Sequence, residues 1–254
     1  MKSRLLALAL ALASMALFLA RPQLAAADQG GPDGYGYMWY DTITYDYETA
    51  ANGLSLGGDD YSVVTIGFDF EYYGQTFTSV TVSSDGVVHF DGAQAVTSTN
   101  ATLPYSTFRL IAPFWDNLSP DAGGDVYYQV MGTAPNRRLV IEWRDVPHYH
   151  LTYPYYTTGD SSFELKMFEA DGTMEFHYQD VDFGDASYNN GASATVGIQD
   201  GLQGYALERS YNTAVISNNM AILFEPCPDA DGDGFYADHC GGTDCDDSDA
   251  TAFP

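Results

Sequence analysis

Residues 163–180 read FELKMFEADGTMEFHYQD, and this stretch decides the fold class. Apolar and polar residues alternate on both sides of Asp171-Gly172, the period of two that sends successive side chains to opposite faces of a strand. An Asp-Gly pair between two such runs signals a hairpin. A two-residue turn there sets Met167 against Phe176 and Leu165 against Tyr178, with all four facing a core. The other face then carries Glu164, Lys166, Phe168, Glu175, His177 and Gln179, which reads as a solvent-side charge ladder.

A second hairpin lies upstream in residues 77–90, FTSVTVSSDGVVHF. A three-residue turn at Ser84-Asp85-Gly86 pairs Val82 with Val88 and Val80 with Phe90, and Gly86 suits the left-handed position such a turn needs. A two-residue turn would oppose Val82 to His89, so the apolar pattern selects the register. Around these hairpins, residues 28–226 are rich in Tyr, Phe, Val and Thr, carry frequent glycines and show no helical period. The expectation is one all-β domain, an antiparallel β-sandwich. Residues 36–47, GYMWYDTITYDY, would add an edge strand and residues 51–60 a loop. Phe114, Trp115 and Trp143 sit in apolar runs and are expected in the core.

The first 27 residues have the build of a secretory signal: Lys2 and Arg4, then an apolar run from Leu5 to Ala20, then Ala25-Ala26-Ala27 before Asp28. The run is short for a bilayer span, so no membrane insertion is expected after its removal. The whole chain has 9 basic and 35 acidic residues. Removing Lys2, Arg4 and Arg21 leaves 6 basic residues and a net charge of −29. Such a surface repels nucleic acid and anionic membranes and gathers cations.

The acidity is densest in residues 229–249, DADGDGFYADHCGGTDCDDSD. Asp229, Asp231 and Asp233 alternate so that three carboxylates can converge, and Gly234 permits the turn that brings in the Phe235 carbonyl. The twelfth position of an ordinary calcium loop is glutamate; here it is Cys240. Asp238, or the second cluster of Asp244, Asp246, Asp247 and Asp249, is then needed to complete the oxygen set. Calcium is the expected ion for such hard ligands, while a solvated acidic tail is the alternative. All three cysteines, Cys227, Cys240 and Cys245, belong to this segment. A Cys240–Cys245 bridge would draw the aspartate clusters together in an oxidising compartment, leaving Cys227 without a partner in the chain.

Two resemblances follow from the quoted motifs. The DxDxDG and DCDDxD pair resembles the metal-binding repeat of MopE-type bacterial surface proteins and, more loosely, the thrombospondin type 3 calcium repeats. The blocks LIAPFWDNL, GGDVYYQV, RRLVIEWRDVPHY, SSFELKMFEADGTMEFHY and SATVGIQDG resemble, in order and spacing, the extracellular nidogen-type (NIDO) domain. That likeness implies a non-catalytic adhesion or scaffold module of a secreted protein and assigns no functional residues.

Candidate ligand contacts come from HYHLTYPYY, residues 148–156. Tyr149, Tyr153, Tyr155 and Tyr156 lie where Pro147 and Pro154 discourage regular pairing, so exposed rings could stack on sugar or on a protein partner. His148 and His150 would share one side of an extended segment, but no third nitrogen ligand can be placed with them. Glu142, Glu164 and Glu175 are the carboxylates from which a glycosidase pair could be drawn. The place of Glu164 and Glu175 on the charge ladder argues against it, and no GxSxG, HExxH or Walker-type motif occurs. Asn100 and Asn117 begin glycosylation sequons.

The reading is therefore a secreted or cell-surface protein in three parts: signal 1–27, nidogen-like β-sandwich 28–226, and an irregular Asp-rich, calcium-binding repeat 227–254 that orders on binding the ion. The partner is an extracellular protein or glycan, and no enzyme activity is expected. A copper-binding surface protein using His239, and a carbohydrate-binding module using residues 147–156, are the competing readings.

Overall fold

The computed structural model describes residues 28–93, 97–152, 154–227, 249 and 251. The strands in chain order are β1 (Gln29–Gly30), β2 (Tyr37–Tyr40), β3 (Asn52–Gly53), β4 (Tyr61–Tyr72), β5 (Gln75–Ser83), β6 (Val88–His89) and β7 (Arg109–Trp115). They continue with β8 (Asp125–Met131), β9 (Arg138–Tyr149), β10 (Tyr156–Phe168), β11 (Met174–Asp180), β12 (Thr195–Asp200), β13 (Tyr205–Tyr211) and β14 (Met220–Pro226). One sheet runs β1-β2-β14-β11-β10-β9-β8-β3 and the other β13-β12-β7-β6-β5-β4. Every strand pairing is antiparallel.

Alternation along the strands builds the space between the sheets. Ile141 and Trp143 of β9, Phe163 and Leu165 of β10, and Phe176 and Tyr178 of β11 meet Val82, Val88, Ile111 and Phe114 of the facing sheet in one core. Trp143 stacks on Phe163 at 5.0 Å and donates its indole N–H to the Ser83 carbonyl at 3.0 Å, so the largest ring buries no unpaired donor. All three aromatics expected in the core, Phe114, Trp115 and Trp143, are fully buried.

The 77–90 hairpin forms in the expected register. Val82 faces Val88, the Ser83 N–H bonds the Val87 carbonyl at 2.9 Å, and Gly86 takes φ +70°. The 163–180 hairpin forms with its register moved by two residues: Leu165 faces Phe176, Met167 faces Met174 and Phe163 faces Tyr178. A two-residue hairpin turn of either primed type would require positive φ at Asp171, and of the pair only Gly172 has it. The connection instead spans residues 169–172, with the Gly172 N–H bonded to the Phe168 carbonyl at 3.2 Å and Phe168 N–H to Thr173 O at 3.0 Å. A shift of two preserves the faces, so the core side chains are those expected.

The outer faces differ more. Glu164, Lys166, His177 and Glu142 do not form a solvent-side ladder; each is at most 2% exposed. Residues 41–51 leave β2 and cross this face as a strap, and the sheet side chains take up the strap's backbone donors in turn. Asp46 N–H goes to His177 Nδ1 at 3.2 Å, Glu48 N–H to Glu164 at 3.0 Å, Ala50 N–H to Glu142 at 2.8 Å and Ala51 N–H to Gln129 at 3.0 Å. Lys166 donates to the Asp46 carbonyl and pairs with Glu48 and Glu164. Buried polar groups thereby satisfy the strap's own unmet donors. On the six-stranded sheet, the outer residues Val87, Leu110, Ala112 and Trp115 are covered by Ala101, Leu103, Tyr105 and Phe108, so β7 is apolar on both sides.

Further expectations change. Pro147 lies within β9, opposite Asp160, at a place where the β9–β10 register shifts; a bulge accommodates the missing N–H. The aromatic segment contributes β2 one strand in from the edge, flanked by the two-residue β1. Cys227 is disulfide-bonded. That bond corrects the expectation that Cys227 lacks a partner. Cys240 and Cys245 themselves lie outside the described residues.

Candidate functional site

At one end of the sandwich, β7 runs out at Trp115 and the next residues, Asp116 to Ser119, pass beneath the end of β9. Backbone bonds join the two: Tyr149 N–H to the Asn117 carbonyl at 2.8 Å and Ser119 N–H to Pro147 O at 3.0 Å. The 116–119 segment is also tied to the β5–β6 turn, where the Asp85 carboxylate accepts the Leu118 N–H at 3.2 Å. Burial raises the Asp85 carboxyl to about 8, with neighbouring Asp59 adding to the rise.

Two adjoining pockets open here, of about 390 and 300 Å³. Ser98 and Asn117 line both and so mark their junction. The larger holds His148, Asp116, Ser193 and Tyr188, with Asn100 and Asn212 at its side. The smaller is walled by Tyr149 and Tyr156, whose rings meet edge to face at 5.7 Å, with Ser119, Gly58 and Asp59 around them. Together they form one groove, polar, neutral in most of its lining and edged by aromatic rings.

At the bottom, His148 Nε2 lies 2.9 Å from Asp116 Oδ1, and both residues are 4% exposed. An ionised carboxylate only accepts, so Nε2 is the donor. Asp116 Oδ2 accepts the Ser193 hydroxyl and Oδ1 also takes the Asn117 N–H at 2.9 Å. The imidazole stacks on Tyr188 at 3.9 Å. Its Nδ1 is buried and has no hydrogen-bond partner. Because Asp116 stands between Ser193 and His148, the histidine is not placed to take the serine proton, as nucleophile activation requires. Asn100 spends its Nδ2 on Ser193 O, Thr195 Oγ1 and Asn212 Oδ1, bracing the wall.

Of the expected ligand contacts, Tyr149 and Tyr156 line the groove. Tyr155 stands beside it, 47% exposed, and Tyr153 is outside the described residues. His148 and His150 do share one side, both against Tyr188. Among the described residues no group of three His, Cys, Asp or Glu is arranged to hold a metal. Asp229, Asp231, Asp233, Phe235, Asp238, Asp244, Asp246 and Asp247, and His239, are outside the described residues. Asp249 is exposed, and its Oδ1 accepts from Thr251 N–H at 3.1 Å and Oγ1 at 2.7 Å.

Of the carboxylates weighed for hydrolysis, Glu142 and Glu164 are engaged by the strap, and Glu175 meets His177 Nε2 at 2.8 Å. Glu142 also accepts from Tyr47 OH at 3.1 Å and pairs with Arg144, and burial raises Glu164 to about 8 while Lys166 pulls the other way. Asp116, Ser193, Tyr188 and Asn212 are site residues that sequence reasoning misses. His148 and Asp116 are 32 positions apart, and no local spacing rule joins them.

All six basic residues after residue 27 are in ion pairs: Arg109 with Asp91 and Asp200, Arg137 with Glu169, Arg138 with Glu48, Arg144 with Glu142, Lys166 with Glu48 and Glu164, and Arg209 with Asp28 and Asp41. None of them lines the groove. Among the described residues no helix is long and apolar enough to cross a membrane.

A family model described as NIDO related matches residues 36–228. No curated protein and no solved structure matches the chain.

Proposed function

The chain belongs to the NIDO-related family, whose domains are of extracellular type, and from that premise we propose that it is a secreted, non-catalytic recognition module serving adhesion or scaffolding. The observation that carries this reading is the groove of Tyr149, Tyr156 and Tyr188, edged with amides and hydroxyls on a rigid sandwich end. Aromatic rings beside a few unspent polar groups are the usual makings of a binding site. The order Ser193–Asp116–His148 and the engagement of Glu142 and Glu164 by the strap favour binding over hydrolysis.

The test is binding of the full secreted chain to immobilised extracellular proteins and polysaccharides, beside a Tyr149→Ala/Tyr156→Ala double variant. Wild type should bind at least one surface, with a tenfold or larger loss in the variant, about 1.4 kcal/mol or more. Equal binding by both forms to every surface would remove the groove from the function.

The aspartate repeat enters this proposal as a structural calcium site. Its DxDxDG spacing supports that reading. Millimolar calcium, the range in which extracellular modules bind, at about 10⁻⁴ to 10⁻³ M, should slow proteolysis after residue 227. Identical digestion with calcium and with chelator would sink the site, and protection by copper at lower concentration would favour the copper reading instead.

A further inference from the structure

We propose that the ligand of this groove is a neutral glycan, with a pyranose ring packed on Tyr149 and Tyr156 and its hydroxyls read by Asn117 and Ser98; the proposal rests on the groove being the recognition site. Three independent features point to this class.

The first is the shape and chemistry of the wall. Tyr149 and Tyr156 are half-buried, which holds them in place while leaving ring surface free. They meet at 5.7 Å with an interplanar angle of 67°, so a flat ligand edge finds a face and a rim together. The electron-rich face of an aromatic ring attracts the polarised C–H groups of a sugar ring.

The second is unspent hydrogen-bonding capacity. The Asn117 side chain, with two donors and an acceptor, and the Ser98 hydroxyl make no hydrogen bond among the described residues, although both are half-buried at the junction of the pockets. His148 Nδ1, at the bottom of the larger pocket, is buried without a partner. The buried Nδ1 carries the cost of an unmet acceptor or donor, while the Asn117 and Ser98 groups, open to water, are free to exchange it for a ligand's hydroxyls.

The third is charge. No cation lines the groove, all six available cations are paired elsewhere, and Asp59 and Asp116 contribute carboxylates to it. Sulfated and uronate-bearing glycans are therefore repelled, and neutral ones are selected by default. Pockets of about 390 and 300 Å³ suit a ligand of one or two sugar rings.

The experiment is a glycan array followed by titration calorimetry. It compares neutral oligosaccharides of glucose, galactose, mannose and N-acetylglucosamine with sulfated and uronate-containing ones. The full chain is produced in a host that does not N-glycosylate Asn117. Saturable binding to a neutral set is expected, weakened at least tenfold in Asn117→Ala and in Tyr156→Ala, with circular dichroism and melting unchanged. No signal on neutral glycans, a preference for acidic ones, or binding that both variants retain would each overturn the proposal. Groove-dependent binding to a protein surface without any glycan signal would overturn the glycan assignment and leave the recognition reading standing. Loss of groove dependence for every ligand would remove both.

Discussion

Raising the pH from about 5 to about 9 is expected to lower the thermal midpoint of this protein, and Glu164→Gln and Asp85→Asn should each take away part of that fall. Both carboxyls are held at about 8 in the fold, chiefly by burial, against ordinary values of 4.5 and 3.8. Each therefore keeps its proton more tightly folded than unfolded. The stability this provides is complete below the unfolded values and is lost as the pH climbs through about 8. A pKa unit is worth about 1.4 kcal/mol, so upward shifts of this size are enough to move the midpoint measurably. Glu48 works in the other direction, since Arg138 lowers it; its contribution is present above the ordinary glutamate range and fades in acid. The midpoint should accordingly peak at mildly acidic pH.

Both substitutions keep the acceptors that matter. In Glu164→Gln the side-chain amide oxygen can still receive the Glu48 N–H, and in Asp85→Asn it can still receive the Leu118 N–H. Calorimetry at constant ionic strength at pH 5, 7 and 9 checks the expectation. A midpoint that holds or rises across this range, or variants that follow the wild-type slope, would show that these carboxyls are not the protons lost.

Gly86→Ala is expected to be the most damaging single-methyl change in the described fold, by about 3–5 kcal/mol, in the range reserved for backbone clash and strain at buried positions. A Cβ at Gly86 would stand 1.9 Å from the Phe114 carbonyl oxygen, and the residue has φ +70°. The obstacle is backbone of the neighbouring strand β7, which cannot rotate aside as a side chain could. Gly92→Ala is the control: its φ is +95°, yet a Cβ there meets nothing within 4 Å. It should lose only the conformational cost of roughly 1 kcal/mol. Urea midpoints that rank the two equally would mean that conformation, not the close approach to β7, sets the requirement for glycine. The substitution also bears on the groove, because the same turn carries Asp85, whose carboxylate holds the segment from Asp116 to Ser119 in position. A surviving Gly86→Ala protein should bind groove ligands poorly.

The alternation in residues 77–90 and 163–180 is sufficient to specify strands, faces and core, because side chains on a strand have a strict period of two and only one face of each hairpin is continuously apolar. Gly86 is legible for the same reason, since only one turn length matches Val82 to Val88. The Phe163–Tyr178 pairing is not legible, because a shift of two residues leaves the faces unchanged and the turn chemistry of Asp171-Gly172 admits more than one loop length. Composition marks Tyr149 and Tyr156 as candidate contacts; it does not mark the groove they line, since its other walls come from Asp116, Ser193 and Asn212 in distant segments.

Local pattern and summed charge are enough to establish an all-β chain, the residues of its core and a strongly acidic composition. What the polar faces do is settled by the three-dimensional arrangement alone. Glu142, Glu164, Lys166 and His177 look like a solvated ladder on their own strands, and the strap of residues 41–51 that buries them comes from roughly a hundred positions away. Which polar groups meet water and which meet backbone depends on long-range covering segments, and short-range periodicity carries no information about those.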